Sequence, residues 1–346
     1  MAGMGDRRPL RFHWSLPSAG EGIRHTPSLR GPDLDQHAAF CRTAEQFGIE
    51  SLLMGFGFAL PDPFGWSAAL GTRTDRIRFA IATRSGFSSP TYFVQQINTL
   101  SVVTRGRVSV NIVAGRTPGE HRYYGDFLTH GERTDRTDEF WRICHALWRA
   151  DGPVDFMGTH YRVEGGWIDI PFAAERHARP EIYLTGVSAE AIELAIRHAD
   201  CLLTLPEAPA RLARRIRPVL DTGTAVGLAV SMIARPTRDE AVAAARALIE
   251  TTATGRGPRQ ETAGDSAWVT RHLWTGAVPQ LGAPAVALVG SPDDLVEAIF
   301  EYRDAGVTEF LFTGFPDLEQ IRFFGAEILP RVRERERVTT PAAPAG

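Results

Sequence analysis

A (β/α)8 barrel of the TIM type is the fold class this sequence predicts. Three observations carry that prediction: eight short apolar segments with strand character, a helix-like stretch after most of them, and a length of 346 residues. That length holds either one large α/β barrel or two ordinary domains, and strict alternation of the two segment types selects a parallel sheet. The strand segments are residues 10–16, 51–54, 78–82, 107–114, 181–184, 201–203, 225–234 and 309–312. Helix-like stretches occupy 33–47, 64–72, 91–104, 134–150, 188–198, 209–219 and 238–251. Eight units over this length favour a closed ring over an open doubly wound sheet, which places the active site at the C-terminal ends of the strands.

The first segment carries His13, an imidazole that titrates near working pH and is a candidate proton donor or base; a hydrogen-bonded core histidine is the competing explanation. The second is a short apolar run followed by GFGFAL, which lacks the third glycine of a dinucleotide fingerprint and runs into Pro61-Asp62-Pro63. The third ends at Ala82 and Thr83, facing the proposed mouth. The fourth alternates, with Val108, Val110 and Ile112 on one face and Ser109, Asn111 and Val113 on the other. A carboxamide in a buried parallel strand left without partners costs roughly 1–3 kcal/mol, so Asn111 calls for a polar neighbour, either a ligand or nearby backbone.

After the fourth strand comes an insertion: an irregular loop over 116–133, the helix 134–150, and a hairpin-like alternation over 154–170. The fifth strand breaks at Gly186 and enters a helix at Ser188. Such a turn offers backbone N–H groups, the positive helix end and a hydroxyl to an anion, although a serine N-cap alone explains the same pattern. A second insertion, 252–282, follows the seventh strand and its helix. It is rich in Gly, Thr and Arg, carries Trp268, His272 and Trp274, and is expected to form a mobile lid. A helix capped by Ser291 with Pro292 at its first position ends near Gly306 and feeds the last strand. Residues 1–332 are expected to form one domain, and 333–346, with mixed charges and then Pro and Ala, a disordered tail.

The composition excludes several functions. A formal net charge of −3 with no basic stripe argues against nucleic acid and anionic membrane partners. No apolar run spans a bilayer and the N-terminus lacks a signal-peptide core, so a cytoplasmic protein acting on a small molecule is expected. Cys41, Cys144 and Cys201 show no metal or redox spacing and are expected to be free thiols. Every basic residue in the Lys+Arg count is arginine, which excludes Schiff-base chemistry, pyridoxal phosphate anchoring and a phosphate-binding-loop lysine. No HExxH or nucleophile elbow is present, so no metal site is expected.

Several segments match, in order and spacing, a known family. They are Trp14, Leu16, Pro17 and Gly20; Ser89-Pro90-Thr91; Thr104-Arg105-Gly106-Arg107 before the Asn111 strand; His130 with Glu132-Arg133; Val154-Asp155-Phe156 with Gly158; PEIYLTGVSAEA; ALVGSPDDL; and TEFLFTGFPDLEQ. The chain resembles the bacterial luciferase-like flavin monooxygenases, most closely their alkanesulfonate monooxygenase branch, from Arg11 to about Arg331. The resemblance implies a luciferase-like (β/α)8 barrel with insertions after strands 4 and 7, reduced FMN as cofactor, a separate flavin reductase that supplies it, O2 as co-substrate and a homodimer. Gly186, Val187 and Ser188 carry over as phosphate contacts, with His130 and, where the family has a longer tyrosine, Thr134. The isoalloxazine ring is expected against Ala82, Thr83 and Asn111, with an unusual cis peptide at Ala82-Thr83.

Departures from the sulfonate branch stand where that branch binds its anion. An active-site cysteine is replaced by Leu60, an arginine and a histidine by Ala229 and Ser231, a loop arginine by Leu281, a tyrosine by Phe315 and a histidine by Asp317. A desolvated sulfonate needs several donors, so an apolar or aromatic pocket with His13, Ser231 and Asp317 as its polar, candidate catalytic groups is expected. The resulting expectation is an FMNH2-dependent monooxygenase that oxygenates a largely apolar or aromatic substrate other than a sulfonate, in biosynthesis. An F420-dependent oxidoreductase and a flavin-binding protein without catalysis remain as alternatives.

Overall fold

The computed structural model describes residues 8–17, 33–58, 60–113, 119–174, 177–253, 267–282, 285–314 and 317–339. In chain order its elements are β1 (Arg11–Ser15), α1 (Leu34–Gln46), β2 (Ser51–Met54), α2 (Pro63–Gly71), β3 (Arg78–Thr83), α3 (Pro90–Val103), β4 (Val108–Val113), α4 (Glu120–Tyr123) and α5 (His130–Arg149). Then follow β5 (Val154–Met157), β6 (Arg162–Gly166), β7 (Glu181–Thr185), α6 (Ala189–His198), β8 (Cys201–Thr204), α7 (Pro209–Leu220), β9 (Ala225–Ala234) and α8 (Arg238–Ala253). The chain continues through β10 (Leu273–Trp274), α9 (Val278–Leu281), β11 (Ala287–Gly290), α10 (Pro292–Asp304), β12 (Glu309–Phe312), α11 (Leu318–Phe323), a π-helical turn (Phe324–Ile328) and α12 (Leu329–Thr339).

Eight parallel strands close a barrel in the order β1-β2-β3-β4-β7-β8-β9-β12, with β12 returning to β1. All eight coincide with the strand segments expected from the sequence. Period-two alternation separates two cores. Phe12, Trp14, Leu52, Phe79, Ile81, Val110, Phe310 and Phe312 face outward onto the helices, while Leu53, Tyr183, Cys201, Leu203, Ala225, Ala229 and Leu311 fill the barrel.

Local chemistry sets the joints. Gly106 takes a positive φ of 77° in the turn before β4, where a Cβ would lie 2.6 Å from the Ala173 carbonyl oxygen, so only glycine fits. Arg107 then fastens that turn to the end of α2, donating to Gly71 O, Thr74 O, Thr74 Oγ1 and Ile77 O. Serine and aspartate side chains cap the helices as their positions lead one to expect: Asp33, Asp62, Ser89, Ser188 and Ser291 accept from N–H groups of the first turns.

Four expectations need correction. Helix α5 begins at His130, not Thr134, because Thr129 and Glu132 form a reciprocal capping box a full turn earlier. The ALVG segment is a strand: β9 is long enough to pair with β8 and β12 along its first half and with β11 along Ser231–Ala234, and β10 adds to β11 antiparallel. Trp268, His272 and Trp274 therefore do not belong to a lid. His272 and Trp274 are buried, and Trp274 joins Ile233, Ala245 and Val289 in a satellite core that Trp268 flanks; residues 254–266 lie outside the described residues. Finally, residues 333–339 are helical. Arg333 donates to Leu10 O, and Glu336 accepts from Leu10 N at 2.7 Å, tying α12 to the chain entering β1. The remaining tail, 340–346, lies outside the described residues. The insertion after the fourth barrel strand contains the expected hairpin, β5 paired antiparallel with β6.

Candidate active site

The C-terminal mouth of the barrel is where polar side chains stand with unused hydrogen-bonding capacity. Asn111, 2% exposed, points inward from β4, and its Oδ1 accepts from Thr185 Oγ1 on the neighbouring β7 at 2.8 Å. Its Nδ2 donates to no described residue. The predicted polar neighbour is thus half supplied by the protein, through a residue the sequence reading passed over. Register places Ala82 beside Asn111 on the inward face and Thr83 beside Ile112 on the outward one. Ala82 therefore shares the mouth surface with Asn111 and Thr83 does not; the expected orientation of Thr83 was one residue out of parity. The peptide bond between Ala82 and Thr83 is trans, which corrects the expected cis bond.

Immediately beyond Thr185 the chain turns at Gly186, whose N–H donates to Leu203 O, and α6 starts behind Ser188. A Cβ at Gly186 would lie 2.4 Å from the Ala191 Cβ, so a side chain there would push the turn off the helix start. Ser188 caps α6 through Ala191 N at 3.2 Å, and the N–H groups of Val187 and Ser188 meet no backbone carbonyl among the described residues. His130 opens the neighbouring α5 and lies near enough for its charge to help depress the Glu190 carboxyl, a shift led by that residue's backbone and Ser188 hydrogen bonds. The starts of α5 and α6 are thus neighbours at an exposed place, where the Glu190 carboxylate already takes a hydrogen bond from Ser188. Thr134 is half-buried on α5, its Oγ1 donating back along the helix to His130 O at 3.1 Å.

A second group at the mouth was not legible in sequence. Arg84, the residue after β3, is 6% exposed and pairs with Glu120 of α4 through Nη2 at 2.6 Å. Its guanidinium lies 5.1 Å from the Phe56 ring and 5.8 Å from that of Phe87, and Tyr124 packs against both rings at 5.3 and 4.8 Å. Nε and Nη1 of Arg84 are buried with no hydrogen-bond partner. These residues come from the connections after three different barrel strands, Glu120 from the short helix α4, and only the folded barrel brings them together.

The expected catalytic trio is dispersed. His13 lies deep in the barrel, 3% exposed, with Nδ1 hydrogen bonded to Ser51 Oγ at 2.7 Å and Nε2 to Glu309 Oε2 at 3.0 Å. Both ring nitrogens are engaged below the level of Asn111, which supports the core-histidine explanation over a proton donor at the mouth. Ser231 is fully buried on β9 and donates to Thr313 O. Asp317 is exposed and caps α11 by accepting from Gln320 N at 2.6 Å. Of the residues expected to exclude a sulfonate, Ala229 borders the barrel filling, Leu281 packs into the satellite core instead of the mouth, and Phe315 lies outside the described residues. Leu60 lines a small apolar cavity of about 20 Å³ with Leu16, Met54 and Trp66.

The opposite end of the barrel holds a closed network. Arg11 bonds Glu50 through Nε at 3.0 Å, Glu181 through Nη1 and Nη2 at 2.5 and 3.0 Å, and Glu309 through Nη1 at 3.2 Å. Burial pushes the Glu181 carboxyl up, but the hydrogen bond and charge of Arg11 outweigh it and hold the group below its ordinary value. Burial first, and then Glu309 and Glu181, push the Tyr183 hydroxyl well above its ordinary range. Away from both ends, His272, Glu297 and Glu301 bring donor atoms within 4.8 Å of one another.

Comparison with known proteins fits this architecture. A family model described as luciferase-like monooxygenase matches residues 10–309. The chain is similar to the crystal structure of long-chain alkane monooxygenase LadA, with a TM-score of 0.76 at 16% identity over 96% of this chain and 92% of that one. It is also similar to EDTA monooxygenase EmoA from Chelativorans sp. BNC1, with a TM-score of 0.76 at 18% identity over 96% and 95% of the two chains. A third similar structure is an F420-dependent secondary alcohol dehydrogenase in complex with an F420-acetone adduct, with a TM-score of 0.67 at 19% identity over 94% and 100%. Among the described residues no helix is long and apolar enough to cross a membrane.

Proposed function

The chain belongs to the luciferase-like monooxygenase family, and from that premise we propose that it is an FMNH2-dependent, two-component monooxygenase acting on a largely apolar or aromatic organic substrate in biosynthesis. The observation that carries the proposal is the convergence of Asn111, Thr185, Gly186, Ser188 and His130 on one side of the barrel mouth. Reduced FMN, when bound, supplies the electrons with which O2 oxygenates the substrate.

The residues present fit that cofactor. The Gly186 turn, kept free of a Cβ, with the unpaired N–H groups of Val187 and Ser188 and the His130 imidazole, would hold the phosphate. Asn111, fixed in orientation by Thr185, keeps an amide donor for a ring edge, and the methyl of Ala82 beside it leaves a flat surface against which a ring can lie. Phe56, Phe87 and Tyr124 exclude water on the facing side. In this reading a separate reductase delivers the reduced flavin, and the protein acts as a homodimer.

A sulfonate remains disfavoured, on different grounds than the sequence suggested. Arg84 is half neutralised by Glu120 and offers donors to a single oxygen, not to three. The F420-dependent reading is kept because a hydride-transferring F420 enzyme shares this fold. Mixing the purified protein with FMNH2 or reduced F420 in air, across a panel of aromatic compounds, separates the two. Substrate-dependent O2 consumption and an oxygenated product with FMNH2 alone are expected; turnover with F420 and none with FMNH2 would overturn the proposal.

A further inference from the structure

We propose that Arg84 is an anchor for one anionic or carbonyl oxygen at the edge of a planar ring bound in the mouth, with Glu120 setting its strength. The inference rests on the reading of the mouth as a ring-binding site and adds the group that orients the ring.

The guanidinium is 6% exposed, yet only Nη2 is satisfied, by Glu120 at 2.6 Å. Nε and Nη1, which lie on opposite sides of the Cδ–Nε–Cζ stem, are both buried and unpartnered, and Nη1 shares the outer edge of the guanidinium with the Glu120-bound Nη2. Arg11 by contrast meets three carboxylates, and Arg107, whose Nε is likewise unpartnered, donates to four oxygens through its two terminal nitrogens. Phe56 and Phe87 lie with ring centroids 5.2 Å apart and interplanar angle 25°, and both stand within cation–π range of the Arg84 guanidinium. Phe56, Phe87 and Tyr124 are themselves incompletely covered, so a flat guest can extend this stack and present an edge oxygen to Nη1. A fixed, desolvated charged donor favours carboxylate, phenolate or ring carbonyl oxygens over an alkyl group. Glu120 tempers this: with its negative charge in place Nη1 is a directional donor and not a strong anion trap.

The oxygen has two sources, the pyrimidine edge of the flavin or an acidic aromatic substrate, and the two separate experimentally. Wild type, Glu120→Gln, Arg84→Lys and Arg84→Met are titrated with oxidised and reduced FMN, and then with 2-naphthoate and the neutral 2-naphthamide, both with FMN bound and without it. Circular dichroism melts select the folded variants. Glu120→Gln is the informative one, because neutralising the acid should strengthen the anchor by at least about fivefold, where a purely structural pair would only lose stability. If the flavin is the source, the reduced-to-oxidised FMN affinity ratio rises in Glu120→Gln and falls in Arg84→Met. If the substrate is the source, naphthoate affinity moves in those directions and the affinity of naphthamide, whose carbonyl oxygen is a weaker acceptor, moves less. Arg84→Lys should lie between wild type and Arg84→Met in either case. No movement of either quantity in a folded Glu120→Gln protein would overturn the anchor. Failure of wild type to take up FMN would instead overturn the flavin reading, and the flavin-free naphthoate titration would still decide the role of Arg84.

Discussion

Arg11 and Arg84 sit at opposite ends of one barrel, and they differ in how completely their nitrogens are paired. Arg11 is saturated by Glu50, Glu181 and Glu309, with His13 and Tyr183 closing the same network. Arg84 is matched by one carboxylate and keeps two buried nitrogens unused, and Asn111 below it keeps an amide. Buried unpaired groups are not confined to the mouth, since Arg78 Nε, His145 Nε2 and His198 Nδ1 at the other end also lack partners, so the proposed assignment rests on the place of Asn111 and Arg84 at the C-terminal strand ends. The larger cavity, about 1350 Å³, opens at the other end beside Arg11, Arg179 and Arg197. Those arginines are already paired, Arg179 with Asp200 and Arg197 with Asp138, and barrel enzymes place their chemistry at the C-terminal strand ends.

Breaking the saturated end should have the largest effect on stability and the least on binding. Arg11→Met strands three carboxylates in the barrel floor and is expected to cost about 3–5 kcal/mol in urea unfolding, with FMN affinity unchanged in protein kept cold and folded. A matching loss of FMN affinity would merge the two ends into one unit and break the contrast. At the mouth the order reverses. Gly186→Ala brings a methyl to within 2.4 Å of the Ala191 Cβ and is expected to cost about 1–3 kcal/mol of stability while weakening FMN at least tenfold by fluorescence titration. Asn111→Leu removes one hydrogen bond from Thr185, with about 0.5–1.5 kcal/mol at stake in stability, yet should weaken FMN by fluorescence titration in protein that stays fully folded.

The barrel was legible because its signal is local and repeated: apolar runs of strand length, breakers and caps such as Ser188 and Ser291 lie within a few residues of what they control. So was the strand-to-helix turn at Gly186, with Ser188 as the cap of α6. Parity at a strand end was not, since one residue decides whether Thr83 or Ala82 faces inward. The side sheet of β10 and β11 escaped notice because β9 must bend from one neighbour to another for it to form. The Arg84 group was invisible because Phe56, Arg84 and Glu120 come from the connections after three different barrel strands. His13 looked reactive for its residue type alone, and only the fold supplies Ser51 and Glu309 to bind both its nitrogens.

A smaller effect is expected at the outer edge of the saturated end. Burial, and then the charges of His198 and Arg179, hold the His145 imidazole down to about 4 from its ordinary 6.5. Above pH 6.5 neither folded nor unfolded chain protonates this ring, so it contributes no pH dependence. As pH falls from about 6.5 toward 4 the unfolded chain takes up a proton that the folded one refuses, and stability drops by roughly 1 kcal/mol once partial exposure is allowed for. Urea midpoints at pH 7 and pH 5 for wild type and His145→Gln should show a smaller drop in the variant, where His198, itself pushed down by burial, still contributes.

The central claim is that the mouth grips a flavin by its phosphate where α6 begins. Its most direct test is equilibrium titration of wild type and Gly186→Ala with FMN and with riboflavin, which differ only in that phosphate. The account predicts saturable FMN binding to wild type, at least about tenfold tighter than riboflavin, with the difference largely erased in the variant. Equal affinity of wild type for the two flavins, or no saturable binding of either, would contradict it.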